Sequence, residues 1–279
     1  MVLDIITAYL FDLEAAGRSP LTIMSYRQHL THLAQFLGGR RIRRVSTEDL
    51  RAYLVSLSNL KPSTIRARFT IISCFFRWCV EEGVIHESPM THVRQPKKPC
   101  QRREVFSTGE LLSLFEASER TRNPTRNKAM LCLLLDCGLR AAELLSLKLE
   151  SYNPASSTLT IQGKGQKVRV VRMGARCREA FEAHLRGVDG HLWDITGGGF
   201  RDMIRQVGEK AGVHANPHKF RHSFSVRFLD AGGGLDSLQV LLGHSDIGTT
   251  MIYTQMGQEA RALRSLARYS PVDNLPIAS

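Results

Sequence analysis

Long apolar runs are missing from this chain: the longest stretches only from Ala129 to Leu135, far short of the roughly 20 residues a membrane-crossing helix requires. The first residues include Asp4 and show no basic start, apolar stretch and small-residue cleavage site in series, so no secretory leader is read there. Paired cysteines are missing too. Cys74, Cys79, Cys100, Cys132, Cys137 and Cys177 never fall in Cys-x-x-Cys spacing, and several stand in apolar helical surroundings. They are read as reduced structural thiols rather than as disulfides or metal ligands. Also lacking are a His-Glu-x-x-His motif, Walker A spacing, internal repeats and low-complexity tracts.

Acid is in short supply. Against 38 lysines and arginines stand 26 aspartates and glutamates, a formal net charge of +12. An excess of cations on a folded surface calls for a polyanionic partner, because binding it releases condensed counterions. A membrane surface would suit the charge, but no strongly basic amphipathic anchor is present, so nucleic acid is expected and a membrane is not. The expected location is the cytoplasm, in association with the nucleoid. A length of 279 residues with 43% apolar content favours two domains, each able to bury a core.

The first ninety or so residues read as four amphipathic helices. Tyr26, Leu30, Leu33 and Leu37 recur at helical spacing, as do Ile65, Phe69, Ile72 and Phe76. Ser46 with Asp49 has capping-box spacing, and Pro62 suits a first helical turn. From Arg94 to Arg103 the chain has five basic residues, two prolines and no acid. This divides the chain into a helical domain (1–93), a basic linker (94–106) and a second domain (107–279). Arg94, Lys97, Lys98, Arg102 and Arg103 are expected to touch phosphate, the alternative being a solvated charge run. In the second domain, Ser107 and Glu110 open a helix and Gly138 stops the apolar run. The β-branched stretches at 158–161 and 168–171 flank Gln162 to Lys167 as a hairpin. Further helices are marked by Phe200, Ile204, Val207 and Ala211, and then by Phe220, Phe224 and Phe228, with Gly232 to Gly234 ending the second of them. The expected fold is mainly α with a small β-hairpin or sheet.

Chemistry-bearing residues then appear in a fixed order. They lie in Gly138-Leu139-Arg140-Ala141-Ala142-Glu143, in Gly163-Lys164-Gly165, in His218-Lys219-Phe220-Arg221-His222, and in Leu242-Gly243-His244 through Tyr253. Guanidinium groups match a phosphodiester's non-bridging oxygens with paired donors, which makes Arg140 and Arg221 a candidate phosphate clamp. A phenol with nearby cations is a candidate nucleophile, and Tyr253 is preferred to Tyr269, which has no glycine-histidine box before it. Lys164 is the candidate proton donor to a leaving oxygen. His222 is read as a packed histidine and Glu143 as structural, orienting a basic neighbour.

These four boxes, in this order, resemble those of the tyrosine recombinases, or phage integrase family, and look closest to its compact Xer-like members. The resemblance spans most of the chain and implies that residues 1–93 form a DNA-binding domain and residues 107–279 a catalytic domain, with a C-terminal tail after Tyr253 that docks onto a neighbouring protomer. It implies Arg140 and Arg221 as phosphate ligands, His218 as proton acceptor or hydrogen-bond partner, Lys164 as general acid, His244 as a phosphate-side donor and Tyr253 as nucleophile. It also implies a 3′-phosphotyrosine intermediate, a four-way junction, and no metal or nucleotide cofactor. The partners it implies are double-stranded DNA recombination sites, with a homo-tetramer on DNA and possible monomers free in solution. Phe220 stands where leucine is usual, and Arg172 where many relatives have proline. A type IB topoisomerase-like relaxing enzyme and a non-catalytic DNA-binding regulator are the alternatives, with a metal-dependent phosphodiesterase more distant.

Overall fold

The computed structural model describes residues 1–97, 104–163, 168–188 and 191–243. They belong to two compact units, Met1–Gln101 and Arg102–Ser279, each with its own apolar core.

The first unit is built on α1 (Val2–Ala15), α2 (Pro20–Phe36), α3 (Thr47–Ser56) and α4 (Pro62–Glu81). Their starts are chemically marked. The Ser19 hydroxyl accepts the Thr22 N–H at 3.2 Å, and Ser46 and Asp49 cap α3 reciprocally. The predicted apolar stripes face inward: Leu30, Leu33, Leu37, Phe69, Ile72 and Phe76 are buried, while Tyr26 and Ile65 pack against them half-covered. Phe75 and Phe76 are fully enclosed, and burial of such a ring contributes about 1.5–3 kcal/mol. Beyond α4 the chain folds back on this unit. Thr47 Oγ1 donates to the Pro89 carbonyl, Arg51 Nη2 to that of His92, and Arg66 Nη1 to that of Pro96 at 2.7 Å. The basic run therefore begins pinned to α4 rather than as a free tether, with Arg94 and Lys97 exposed. Lys98, Arg102 and Arg103 lie outside the described residues.

The second unit contains α5 (Thr108–Glu119), α6 (Pro124–Asp136) and the short α7 (Ala141–Leu145), then strands β1 (Tyr152–Asn153), β2 (Thr158–Gln162) and β3 (Val168–Arg172). Helices α8 (Ala175–Leu185), α9 (Gly197–Ala211), α10 (Pro217–Asp230) and α11 (Leu235–Leu242) complete it. The apolar run read at 129–135 is explained by α6, whose Ala129, Met130, Leu131, Leu133 and Leu134 are all fully buried, because α5, α8 and α10 surround it.

The predicted hairpin is present, with Leu159 opposite Val171 and Ile161 opposite Arg169. A third strand, β1, extends the antiparallel sheet in the order β1-β2-β3. Two residues are too few for any periodicity. The strand forms because Asn153 Oδ1 accepts the N–H groups of Ala155 and Ser156, turning the chain back to pair Tyr152 with Leu159. Helix α9 likewise begins earlier than Phe200. The Thr196 hydroxyl accepts the Gly199 N–H at 3.1 Å, which draws three glycines into the first turn.

Among the described residues all five cysteines are free thiols. Cys137 and Cys177 are buried side by side near Asp136, and the Cys177 thiol is pushed upward in pKa by its contact with Cys137 and by burial. Asp136 accepts the Gly174 N–H at 2.7 Å.

Candidate active site

The site grows from the end of α6. After Cys137 the chain must turn sharply, and Gly138 does so at φ +60°, a region costly for any residue with a Cβ. A Cβ there would also lie 2.4 Å from Phe224 Cδ1. The turn lets Leu139 fall into the core, fully buried, and places Arg140 as the N-cap of α7.

Arg140 and Glu143 close that helix end together. The Arg140 backbone N–H donates to Glu143 Oε2 at 2.8 Å and its Nη1 to Oε1 at 2.7 Å. Glu143 is 5% exposed, whereas the Arg140 side chain remains 39% exposed. From β3, Arg169 donates Nη1 and Nη2 to the two Glu143 oxygens at 2.9 and 2.8 Å. From α10, Arg221 Nη1 donates to the Gly138 carbonyl at 2.6 Å and Nη2 to that of Leu242 at 2.8 Å. The same Nη1 lies 3.9 Å from Glu143. Burial by itself pushes the Glu143 carboxyl upward, but hydrogen bonds from Arg169 and Arg140 outweigh it and hold the pKa at about 2.

Three guanidinium groups thus gather around one ionised carboxylate. Positive charge is in surplus at a place shielded from water, where an added anion is attracted more strongly than in bulk solvent. Arg140 is the most exposed of the three, while Arg221 sits 4% exposed on backbone carbonyls that set its plane.

Helix α10 starts with Asn216 Oδ1 accepting the Lys219 N–H at 2.9 Å and with Pro217 in its first turn. His218 is exposed, its ring centroid 6.5 Å from that of His222. Lys219 turns away from this face. Its ammonium lies 4.4 Å over the Phe106 ring and 3.4 Å from Glu110, which ties α10 to the capped start of α5. Ser225, one turn beyond Arg221, is buried and donates its hydroxyl to the Arg221 carbonyl at 2.9 Å.

Of the residues singled out in sequence, the structure brings together Arg140, Arg221 and Glu143, with His218 on the same helix as Arg221. Lys164, His244 and Tyr253 lie outside the described residues. Arg169 was missed. Valines at 168, 170 and 171 leave the inward face of β3 ambiguous by hydropathy, and only pairing with β2 turns Arg169 inward and Val168 and Val170 out.

A sequence pattern described as the Phage integrase family matches residues 104–259, and one described as Phage integrase, N-terminal SAM-like domain, matches residues 5–85. The chain belongs to the phage integrase family, the tyrosine recombinases. It is 30% identical over 275 residues to a protein called tyrosine recombinase XerC from Alcanivorax borkumensis, covering 91% of this chain and 90% of that protein. Among solved structures it is similar to a lambda integrase dimer bound to a COC′ core site, with a TM-score of 0.77 at 17% identity over 88% of this chain and 95% of the other. It is also similar to the XerH site-specific recombinase bound to a palindromic difH substrate, with a TM-score of 0.75 at 18% identity, covering 90% and 81%. At such identities these structures speak for the fold.

Proposed function

We propose that the chain is a site-specific DNA recombinase that cuts and rejoins strands through a 3′-phosphotyrosine intermediate. Arg140 and Arg221 bind the non-bridging oxygens of the scissile phosphate and offset the charge that builds as phosphorus becomes five-coordinate. The Tyr253 oxygen attacks phosphorus, and the bond to the 5′-oxygen breaks. Lys164 protonates that leaving oxygen, His218 accepts or shares the phenol proton, and His244 donates to the phosphate. The phosphate ester is conserved in the covalent link, so a 5′-hydroxyl from a partner duplex reverses the step and completes an exchanged strand by way of a four-way junction. None of these steps requires an external energy source or a metal ion.

The observation that carries this reading is the convergence of Arg140 and Arg221 on Glu143, which turns two residues 81 positions apart in sequence into one anion site. The partners are double-stranded recombination sites, bound by a homo-tetramer that assembles on DNA from monomers. The first unit and the basic run, through Arg94, Lys97, Lys98, Arg102 and Arg103, hold the duplex backbone. Among the described residues no helix is long and apolar enough to cross a membrane, and the proposed site of action is the nucleoid in the cytoplasm.

The test is a denaturing gel for a covalent protein–DNA adduct on nicked duplexes from the gene's flanking DNA, with chelator present. Wild type is expected to form the adduct, and Tyr253→Phe is expected to lose it while binding DNA as before. An adduct that persists in Tyr253→Phe refutes the nucleophile assignment. Tight salt-sensitive binding without any adduct in wild type points to a regulator that has kept the fold.

A further inference from the structure

Arg169 makes more directed contacts than a charge on a strand needs. Two of its nitrogens are given to the two Glu143 oxygens at 2.9 and 2.8 Å, and Nε donates to the Leu241 carbonyl at 2.8 Å. A guanidinium bound along two edges is fixed in both position and plane. Its stem passes close to Gly243, where an added Cβ would lie 3.3 Å from Arg169 Cδ on a backbone at φ +61°. One side chain thereby joins β3, α7 and the end of α11. In sequence these segments adjoin three of the four boxes: the loop with Lys164, the turn with Arg140, and the Leu242-Gly243-His244 stretch.

We infer that Arg169 is a positioning residue of this site, holding Glu143 and the end of α11 so that Arg140 and Arg221 are set for a phosphate before DNA arrives. This rests on the proposed reading of Arg140 and Arg221 as phosphate ligands. Arg169 is assigned no phosphate contact of its own, because Nε, Nη1 and Nη2 together span the Leu241 carbonyl and both Glu143 oxygens and so tie the protein to itself. A lysine would supply the charge but not the span across two carboxylate oxygens and a carbonyl.

The charged groups facing Glu143 are Arg140 at the start of its own helix, Arg169 on β3 and Arg221 on α10. Without Arg169, burial is opposed less and the carboxyl moves up toward assay pH. A protonated Glu143 then loosens its hold on Arg140, so loss of Arg169 should create a fall in activity on the acid side that wild type lacks.

The experiment measures first-order adduct formation at saturating nicked duplex, between about pH 5 and pH 8, for wild type, Arg169→Gln, Arg169→Lys, Glu143→Gln and the Arg169→Gln/Glu143→Gln pair. Carbon-13 NMR follows the Glu143 carboxyl in the DNA-free wild type and Arg169 variants. Arg169→Gln is expected to slow adduct formation by about 100-fold, the effect of a small misplacement of catalytic groups, with DNA affinity little changed and a new acid limb. Arg169→Lys recovers part of the rate, and the paired variant is no slower than Arg169→Gln alone because both changes remove one interaction. Glu143 is expected to stay ionised at every pH of the series in wild type and to titrate at higher pH in Arg169→Gln. Arg169→Lys, which keeps charge and bulk, provides the comparison if the glutamine variant does not fold. Parallel pH profiles, additive losses in the paired variant, or a Glu143 titration unchanged in both Arg169 variants would each overturn the inference. No adduct with wild type, combined with the expected NMR shift, removes the phosphotyrosine reading and leaves the Arg169 tie standing.

Discussion

Glu143 is a buried carboxylate whose charge is held by three arginines, and its removal should be felt in stability as well as in geometry. Breaking a buried ion pair by removing one partner leaves the others uncompensated, at a cost of about 3–5 kcal/mol. Glu143→Gln keeps the shape and loses the charge, so a drop near the lower end is expected in urea unfolding of the whole chain at neutral pH. The pH dependence has a definite sign. The folded pKa, about 2, lies below the ordinary 4.5. The stabilisation is therefore fully present above pH 4.5 and is lost as pH falls from there toward 2. Glu143→Gln should lose less stability than wild type on acidification from neutral pH to about pH 3.5. Equal losses in the two proteins would show that the carboxylate is not held as described. In sequence, Glu143 could be read only as an orienting partner for one basic neighbour, since nothing local announces that β3 and α10 deliver two more.

The α6–α7 turn joins the core to the site. It works because Gly138 lies at φ +60° beneath the Phe224 ring, with its carbonyl accepting from Arg221. Gly138→Ala adds both a left-handed backbone penalty and an overpacked contact, and about 1–3 kcal/mol of destabilisation is expected. The measurement is the thermal midpoint of the variant with and without Phe224→Leu. Partial recovery when the ring is removed assigns part of the loss to the clash, and no loss at all would mean the turn relaxes freely. The helix starts at Ser46 and Ser107 were legible as capping residues, because those bonds close within three residues. Strand β1 and the early start of α9 were not, since one depends on pairing across the sheet and the other on a cap that overrides three unfavourable glycines.

Across the chain as a whole, the excess of positive charge is what commits it to a polyanion, and the basic run after α4 is where the structure shows that charge to be both exposed and anchored. Arg94 and Lys97 stand in solvent while Arg66 clasps the Pro96 carbonyl between them. If both touch phosphate, Arg94→Ala with Lys97→Ala should flatten the slope of log affinity against log salt by about 1.8, roughly 0.9 for each lost contact. Fluorescence anisotropy on a labelled duplex reads this directly. An unchanged slope would return the run to an ordinary solvated surface.

Composition and spacing were enough to establish the helical halves, the basic junction and the ordered boxes with their arginines, histidines, lysine and tyrosine. These depend on local periodicity, capping and residue chemistry, all of which act over a few positions. Which arginines meet could be decided only in three dimensions. Arg140, Arg169 and Arg221 come from a helix cap, a strand and a helix that share no local pattern. The buried carboxylate of Glu143 selects among them by reach and geometry once the core of α6 and the pairing of β2 with β3 have brought those elements together.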